Sequence, residues 1–397
     1  MTRTLLFGIL IDLLFATAGQ SQESPLVRLP AQAPFVLQSD GRLQPYLEVL
    51  RNQGREPIRF VLQALKRHDL IIFDDAVHTA LEPFEFYQQL IRDKAFQQQA
   101  PAIFLEIVSI NRQRHLDAYL NAARDDPRLL CPAFQDELNG NGWGLRTYFD
   151  FLRTVRAVNQ ALPAKSKLRV YAVNSPTLWP EIQTRDDLVQ FRKSTASRDH
   201  HMYVAILNEL AEFKAKRKGI FLTNTRHAYK GIRQKDGQFF WNAATFFHQW
   251  HPGKAYSIRM HNVTPQVVRA LATSPPGTFE GRPSHEIRFV RMARGLWDSA
   301  FRASGNRPVA FALQGNVFGA ERYTGADEFD ALPDQKMQDA YDAVIFLAPP
   351  REAAAKRHDR LYLHPRIHEG IETTHADHVH RSATGAGAQE SRSQGPR

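Results

Sequence analysis

Apolar and polar positions follow two different rhythms along this chain. Continuous apolar runs, rich in β-branched and aromatic residues, occur at "LIIFDD" (70–75), "AIFLEIVS" (102–109), "LRVYAVNS" (168–175) and "GIFLTNT" (219–225). Others follow at "AYSIRMHNV" (255–263), "PVAFALQGN" (308–316) and "DAVIFLAPP" (342–350). Unbroken hydrophobicity of this kind predicts strands covered on both faces, as in a mostly parallel sheet. Between the runs, apolar residues recur at helical spacing: Phe84, Tyr87 and Ile91, then Tyr148, Leu152 and Val155, then Met202, Ile206, Leu210 and Phe213. Strands alternating with amphipathic helices predict an α/β fold, a mostly parallel central sheet flanked by helices on both faces, with helical insertions.

The two ends of the chain read differently. Arg3 precedes an apolar run from Leu5 to Phe15, interrupted by Asp12, that closes on Ala16-Thr17-Ala18 and turns polar at once. That layout predicts a signal peptide over 1–18 and an exported protein, periplasmic or secreted, with no stable membrane span after cleavage. Residues 19–45, rich in Gln, Pro and Ser, read as a linker or strapping segment, and 46–350 as the α/β domain. From 351 to 397 the chain is charged, contains many His and ends "HRSATGAGAQESRSQGPR", a composition that predicts a disordered tail.

The net charge of +10 raises the question of nucleic acid. Lys and Arg are scattered, with no basic arm, zinc-finger spacing or RNA-binding aromatic signature, so a solvated basic surface is expected and no nucleic-acid partner. Cys131 is the only cysteine, which excludes an intrachain disulfide and offers no Cys-based zinc or haem-attachment motif.

In an open α/β sheet, ligands bind beyond the carboxyl ends of the strands. Read in chain order, those ends supply Asp74, Asp75 and His78, then Glu106 and Ser109, then Asn174 and Ser175, then Asn224, Arg226 and His227. The last two runs to be read this way supply His261 and Asn262, then Gln314 and Asn316. Convergence of polar groups on one sheet edge is the pattern of an active site. Glu106 is the sharpest of them: it lies within "IFLEIV", where an unpaired carboxylate is expensive. With His78 and His227 it provides a carboxylate and two imidazoles, enough for acid–base work or metal ligation. Arg198 opens a helix behind Ser197, the expected N-cap; a cation in a first helical turn opposes the macrodipole and calls for an anionic partner, Glu106 or a ligand.

These residues carry a resemblance. "DDAVHTALEPFEFYQQLI" resembles the Gly-Glu-x-x-His motif, followed by a helix bearing a Glu, of the erythromycin esterase family, which groups with ChaN-like haem-binding and Tiki/TraB-type proteins. Asp75 matches the motif carboxylate, His78 the histidine and Glu85 the helix glutamate. "IFLEIV" matches the strand ending in Glu106, "RDHHM" the Arg-x-x-x-Met helix start at Arg198, "NTRHAY" the later histidine at His227, and "YDAVIFLAPP" the closing strand. The resemblance spans about 70–350. The chain departs from the pattern at Asp74, where the motif has glycine, at Asp75, one carbon shorter than the usual Glu, and at Asn174, where related proteins often carry Asp.

The resemblance implies a hydrolase in which His78, oriented by Asp75 or Glu106, activates water against an ester or related acyl bond. His227 and Arg198 then stabilise the developing oxyanion, with Arg198, Glu85 and Asn174 at the substrate. The substrate is a small molecule or a peptide, and no cofactor is required. No Gly-x-Ser-x-Gly elbow is present, which disfavours a Ser-triad esterase. Two alternatives stand beside this reading: a Tiki/TraB-type peptidase with a divalent metal on His78, Glu106 and His227, and a ChaN-type protein that binds haem or another anionic ligand.

Overall fold

The computed structural model describes residues 41–350 except 79, 136–144, 177–186, 188–189, 192, 194–196, 215–216, 272–283 and 326, together with 26–28 and 353–356. The expected signal peptide, most of the strap and most of the tail lie outside the described residues. Three residues of the strap, Leu26–Arg28, pair antiparallel with Ala353–Lys356, so the segment from 351 begins with a short strand.

All seven predicted strands form, and together they make one sheet. They are β1 (Leu70–Asp74), β2 (Ala102–Ser109), β3 (Arg169–Asn174), β4 (Gly219–Thr223), β5 (Ala255–Met260), β6 (Val309–Ala312) and β7 (Ala343–Phe346), in the order β3-β2-β4-β1-β5-β7-β6. Six run parallel, and β6 at one edge pairs antiparallel with β7. Gly219 opens β4 where no side chain fits: a Cβ there would lie 2.7 Å from the Phe104 ring and 2.8 Å from the Ala102 carbonyl. One further antiparallel ribbon, Thr264–Leu271 with Ser284–Val290, extends beyond the carboxyl end of β5 and was not anticipated from the sequence.

The sheet divides the core in two. Ile71, Phe73, Ile103, Leu105 and Leu222 face one layer, built by α2 (Pro57–Arg67), α3 (Glu82–Arg92) and α4 (Arg146–Ala161). Leu70, Ile72, Phe104 and Phe221 face the other, built by α1 (Gln44–Gln53), α5 (Arg198–Glu209), α7 (Ala243–Trp250) and α8 (Leu296–Ala303). A further, short helix on that side, α6, covers Thr225–Ala228. Successive strand residues point to opposite faces, so both faces being buried is what made these runs continuously apolar. The helical stripes read from the sequence are the buried faces of α3, α4 and α5. Among the described residues no helix is long and apolar enough to cross a membrane.

The direction of β6 corrects one expectation. Because it runs against its neighbours, Gln314 and Asn316 follow its carboxyl end to the opposite edge of the sheet from the other strand ends. There Asn316 accepts from the Gly319 N–H, capping a short helix, and donates to Gln53 and to the Ala312 carbonyl.

Candidate functional site

At the carboxyl edge of the parallel strands, five of the expected side chains and their partners form one connected cluster. Asp74 ends β1 and Asp75 follows it, the two engaging different partners. Asp74 turns inward, pairing with Arg259 of β5 at 2.7 Å, and also accepts from the Tyr341 hydroxyl at 2.5 Å. Its second oxygen accepts the Ala76 N–H at 2.7 Å, and Ala76 stands at φ +59°, a conformation a non-glycine residue adopts only under local compensation. The residue in the place of the motif glycine is therefore part of the sheet's interior and of the turn that follows it.

Asp75 is only 2% exposed and joins two other elements of the cluster. One carboxylate oxygen lies 2.7 Å from His78 Nδ1, and the other accepts the Asn224 side-chain amide at 2.8 Å. The Tyr148 hydroxyl of α4 lies 3.3 Å from the same His78 nitrogen. Burial pulls the His78 pKa down, but the charge and hydrogen bond of Asp75, with Glu106 behind it and against Arg198, more than offset that and raise it to about 9.

Glu106 of β2 stands beside this dyad, buried as its sequence context required. Oε1 accepts from Arg198 Nη2 at 2.7 Å and lies 3.3 Å from His227 Nε2; Oε2 accepts from the Thr223 hydroxyl at 2.5 Å and the Asn224 N–H at 3.0 Å. Burial pushes its pKa up, but the charge of His227 whenever that ring is protonated, together with Arg198, His78 and the Thr223 hydroxyl, holds the carboxyl well below the usual range. The guanidinium of Arg198 is engaged at all three nitrogens: Nη2 on Glu106, Nε on Asn174 Oδ1 at 2.8 Å and Nη1 on His227 Nε2 at 2.7 Å. The expected anionic partner of this first-turn cation is thus Glu106. Ser197 occupies the N-cap position but makes no side-chain cap bond, contrary to the expectation from its residue type.

Five residues proposed from the sequence, Asp75, His78, Glu106, Arg198 and His227, meet here, with Asn174 orienting Arg198. Glu85 does not join them: it is exposed on α3 and lines a separate cleft with Glu56, Glu82 and Arg307. That cleft also takes in Leu347 and Ala348, just after β7, and the buried glutamate in the first turn of α3 is Glu82. Of the remaining strand-end residues, His261 lies apart, 3.4 Å from Asp298, which also accepts from Arg291 at 2.6 Å.

Two residues that join the cluster had no role assigned from the sequence: Asn224, named there only as a polar strand-end residue, and Asp199, not singled out at all. Asn224 sits at the N-cap position of α6, where its type would cap the helix, but its amide is diverted to Asp75 while its backbone N–H goes to Glu106. Asp199 accepts from His227 Nδ1 at 2.7 Å and from the Ala243 N–H at 2.9 Å. The signal for Asp199 was present, since an acid beside Arg198 in a first helical turn is the compensation that the cation called for.

The triplet His78, Glu106 and His227 does not fit a metal centre. The Arg198 guanidinium already bonds both Glu106 Oε1 and His227 Nε2, and a second cation there would face like charge. Among the described residues no group of three or more His, Cys, Asp and Glu side chains is arranged to hold a metal ion. Cys131 is buried in the core layer of α2, α3 and α4, and burial raises its thiol pKa, which disfavours the reactive thiolate.

No family model and no curated protein matches the sequence. Solved structures do match the fold. A mutant of the erythromycin esterase EreC in its open conformation is 13% identical, with 79% of this chain and 97% of that one covered and a TM-score of 0.50. A succinoglycan biosynthesis protein is 7% identical, with 81% of this chain and 100% of that one covered and a TM-score of 0.52. At such identities the likeness is one of architecture: this chain shares its fold, over most of its length, with an erythromycin esterase.

Proposed function

We propose that the protein is a hydrolase in which a histidine, not a serine or a metal, activates water against an ester or related acyl bond. The observation that carries this reading is the His78–Asp75 dyad at 2.7 Å, beside an arginine shared between Glu106 and His227. Asp75 accepts the Nδ1 proton of His78, so the neutral ring presents its lone pair on Nε2, the nitrogen that takes a proton from water. Arg198, anchored by Glu106 and Asn174, is the donor suited to the oxyanion that forms when that water attacks. The fold held in common with an erythromycin esterase supports the same class of chemistry.

The raised pKa of His78 sets the operating range. With a value of about 9, roughly one ring in a hundred is in the basic form at pH 7. Those rings are correspondingly stronger bases, and the rate rises with pH until the dyad is deprotonated. The reading requires no cofactor, takes a small molecule or peptide as substrate and places the protein outside the cytoplasm, following the N-terminal pattern.

The test is hydrolysis of an ester panel, beginning with p-nitrophenyl acetate, by the wild type and by His78→Ala. A loss of about 10²- to 10⁴-fold in kcat is expected. Undiminished hydrolysis by His78→Ala would sink the assignment.

A further inference from the structure

Arg198 and Asp199 are consecutive in the first turn of α5, yet they grip one imidazole from opposite sides. Arg198 Nη1 lies 2.7 Å from His227 Nε2, and Asp199 Oδ1 lies 2.7 Å from His227 Nδ1. A guanidinium has only donors, so its contact with Nε2 is attractive only where that nitrogen carries a lone pair. The ring proton therefore sits on Nδ1 and is donated to Asp199. Asp199 is itself fixed, because the same oxygen accepts the Ala243 N–H at the start of α7 at 2.9 Å. The charged groups facing the ring are Arg198 and Asp199 from α5 and Glu106 from β2, whose Oε1 lies 3.3 Å from Nε2; His78, beyond β1, adds its charge across Glu106.

We infer that Asp199 is a positioning residue that locks His227 as the neutral Nδ1–H tautomer, with its lone pair held in reserve beneath Arg198. This rests on the hydrolytic reading and deepens it. As the guanidinium moves onto a substrate oxygen that gains negative charge, Nε2 is uncovered beside Glu106 and becomes an acceptor for a water or substrate hydroxyl. Orientation of the ring through its other nitrogen is what makes that acceptor point into the cleft.

The experiment is a ¹⁵N–¹H correlation spectrum of histidine-labelled protein at pH 7, with the His227 signals assigned through His227→Gln. Wild type is expected to show the neutral Nδ1–H tautomer. Asp199→Ala is expected to shift the population toward Nε2–H. Asp199→Asn should keep the wild-type tautomer, because the Ala243 N–H holds its carbonyl oxygen toward the ring. With p-nitrophenyl acetate, Asp199→Ala should lose on the order of 10³-fold in kcat with KM little changed, and Asp199→Asn should recover most of it. An Nε2–H ring or an imidazolium in the wild type overturns the inference, as does an unchanged tautomer in Asp199→Ala. If Asp199→Ala fails to fold, the wild-type and Asp199→Asn spectra still decide. A wild type that hydrolyses nothing defeats the hydrolytic reading alone, and the spectra then judge Asp199 separately.

Discussion

Arg259 reaches across from β5 to Asp74 at 2.7 Å, and neither side chain has any exposure to solvent. The two residues are register partners on adjacent parallel strands, so the sheet itself sets their approach. The pair explains how the chain tolerates a carboxylate where the resembled motif has glycine: the acid is balanced by a cation on the neighbouring strand, with Tyr341 as a second donor.

Breaking that pair from one side leaves an uncompensated buried charge, whereas removing both charges does not. Asp74→Ala is expected to destabilise the protein by about 3–5 kcal/mol, and the double variant Asp74→Ala/Arg259→Met to recover most of the loss. Urea unfolding of the four proteins in this cycle measures the coupling. A loss in the double variant equal to the sum of the two single losses would show that the pair contributes nothing.

The rate of hydrolysis should climb with pH and level off near 9, the value to which the Asp75 carboxylate raises His78. Asp75→Asn should move that limb down toward the ordinary histidine value of about 6.5 and lower the plateau. The same shift has a stability consequence. His78 binds its proton more tightly in the folded state, so its contribution is complete below about pH 6.5 and is lost as pH rises through about 9. Thermal melts of wild type and Asp75→Asn across pH 6–10 should therefore converge at the alkaline end.

Glu106 behaves in the opposite sense. Its folded pKa is depressed, so its contribution is present above the unfolded value of about 4.3 and fades only as pH falls toward the much lower folded value. Glu106→Gln keeps the shape but leaves Arg198 without its anion, and a loss of about 3 kcal/mol is expected at pH 7. The gap between the two proteins in chemical denaturation should narrow steadily on acidification below pH 4. A constant gap would mean that the carboxylate's charge is not what stabilises this cluster.

Ala76 holds φ +59° immediately after the two aspartates. Glycine removes the left-handed penalty of about 1–2 kcal/mol but adds chain entropy in the unfolded state of about 0.5–1 kcal/mol. Ala76→Gly should therefore stabilise the protein by about 1 kcal/mol, read as a rise of a few degrees in Tm. The hydrolytic rate should hold, provided that Asp74 still pins the N–H of residue 76.

The sequence by itself determined the strands, because each of the seven is buried on both faces and so carries a continuous apolar signature that loops and helices do not share. It also determined Glu106 as a residue of consequence, since a carboxylate flanked by aliphatics needs partners wherever the strand lies. Strand direction was another matter. β6 has the same apolar signature whether it runs with or against its neighbours, and only its antiparallel pairing with β7 sends Asn316 away from the site. Glu85 shows the same limit on a helix: its spacing from His78 matched the resembled motif, but the rotation of α3 turned it to the surface. Asp199 and Asn224 acquired their roles from partners on other elements, His227 and Ala243 for one, Asp75 and Glu106 for the other. Hydrophobic periodicity records which face of an element is buried; which polar side chains share a hydrogen bond depends on how separate elements are brought together, and only the tertiary structure decided that.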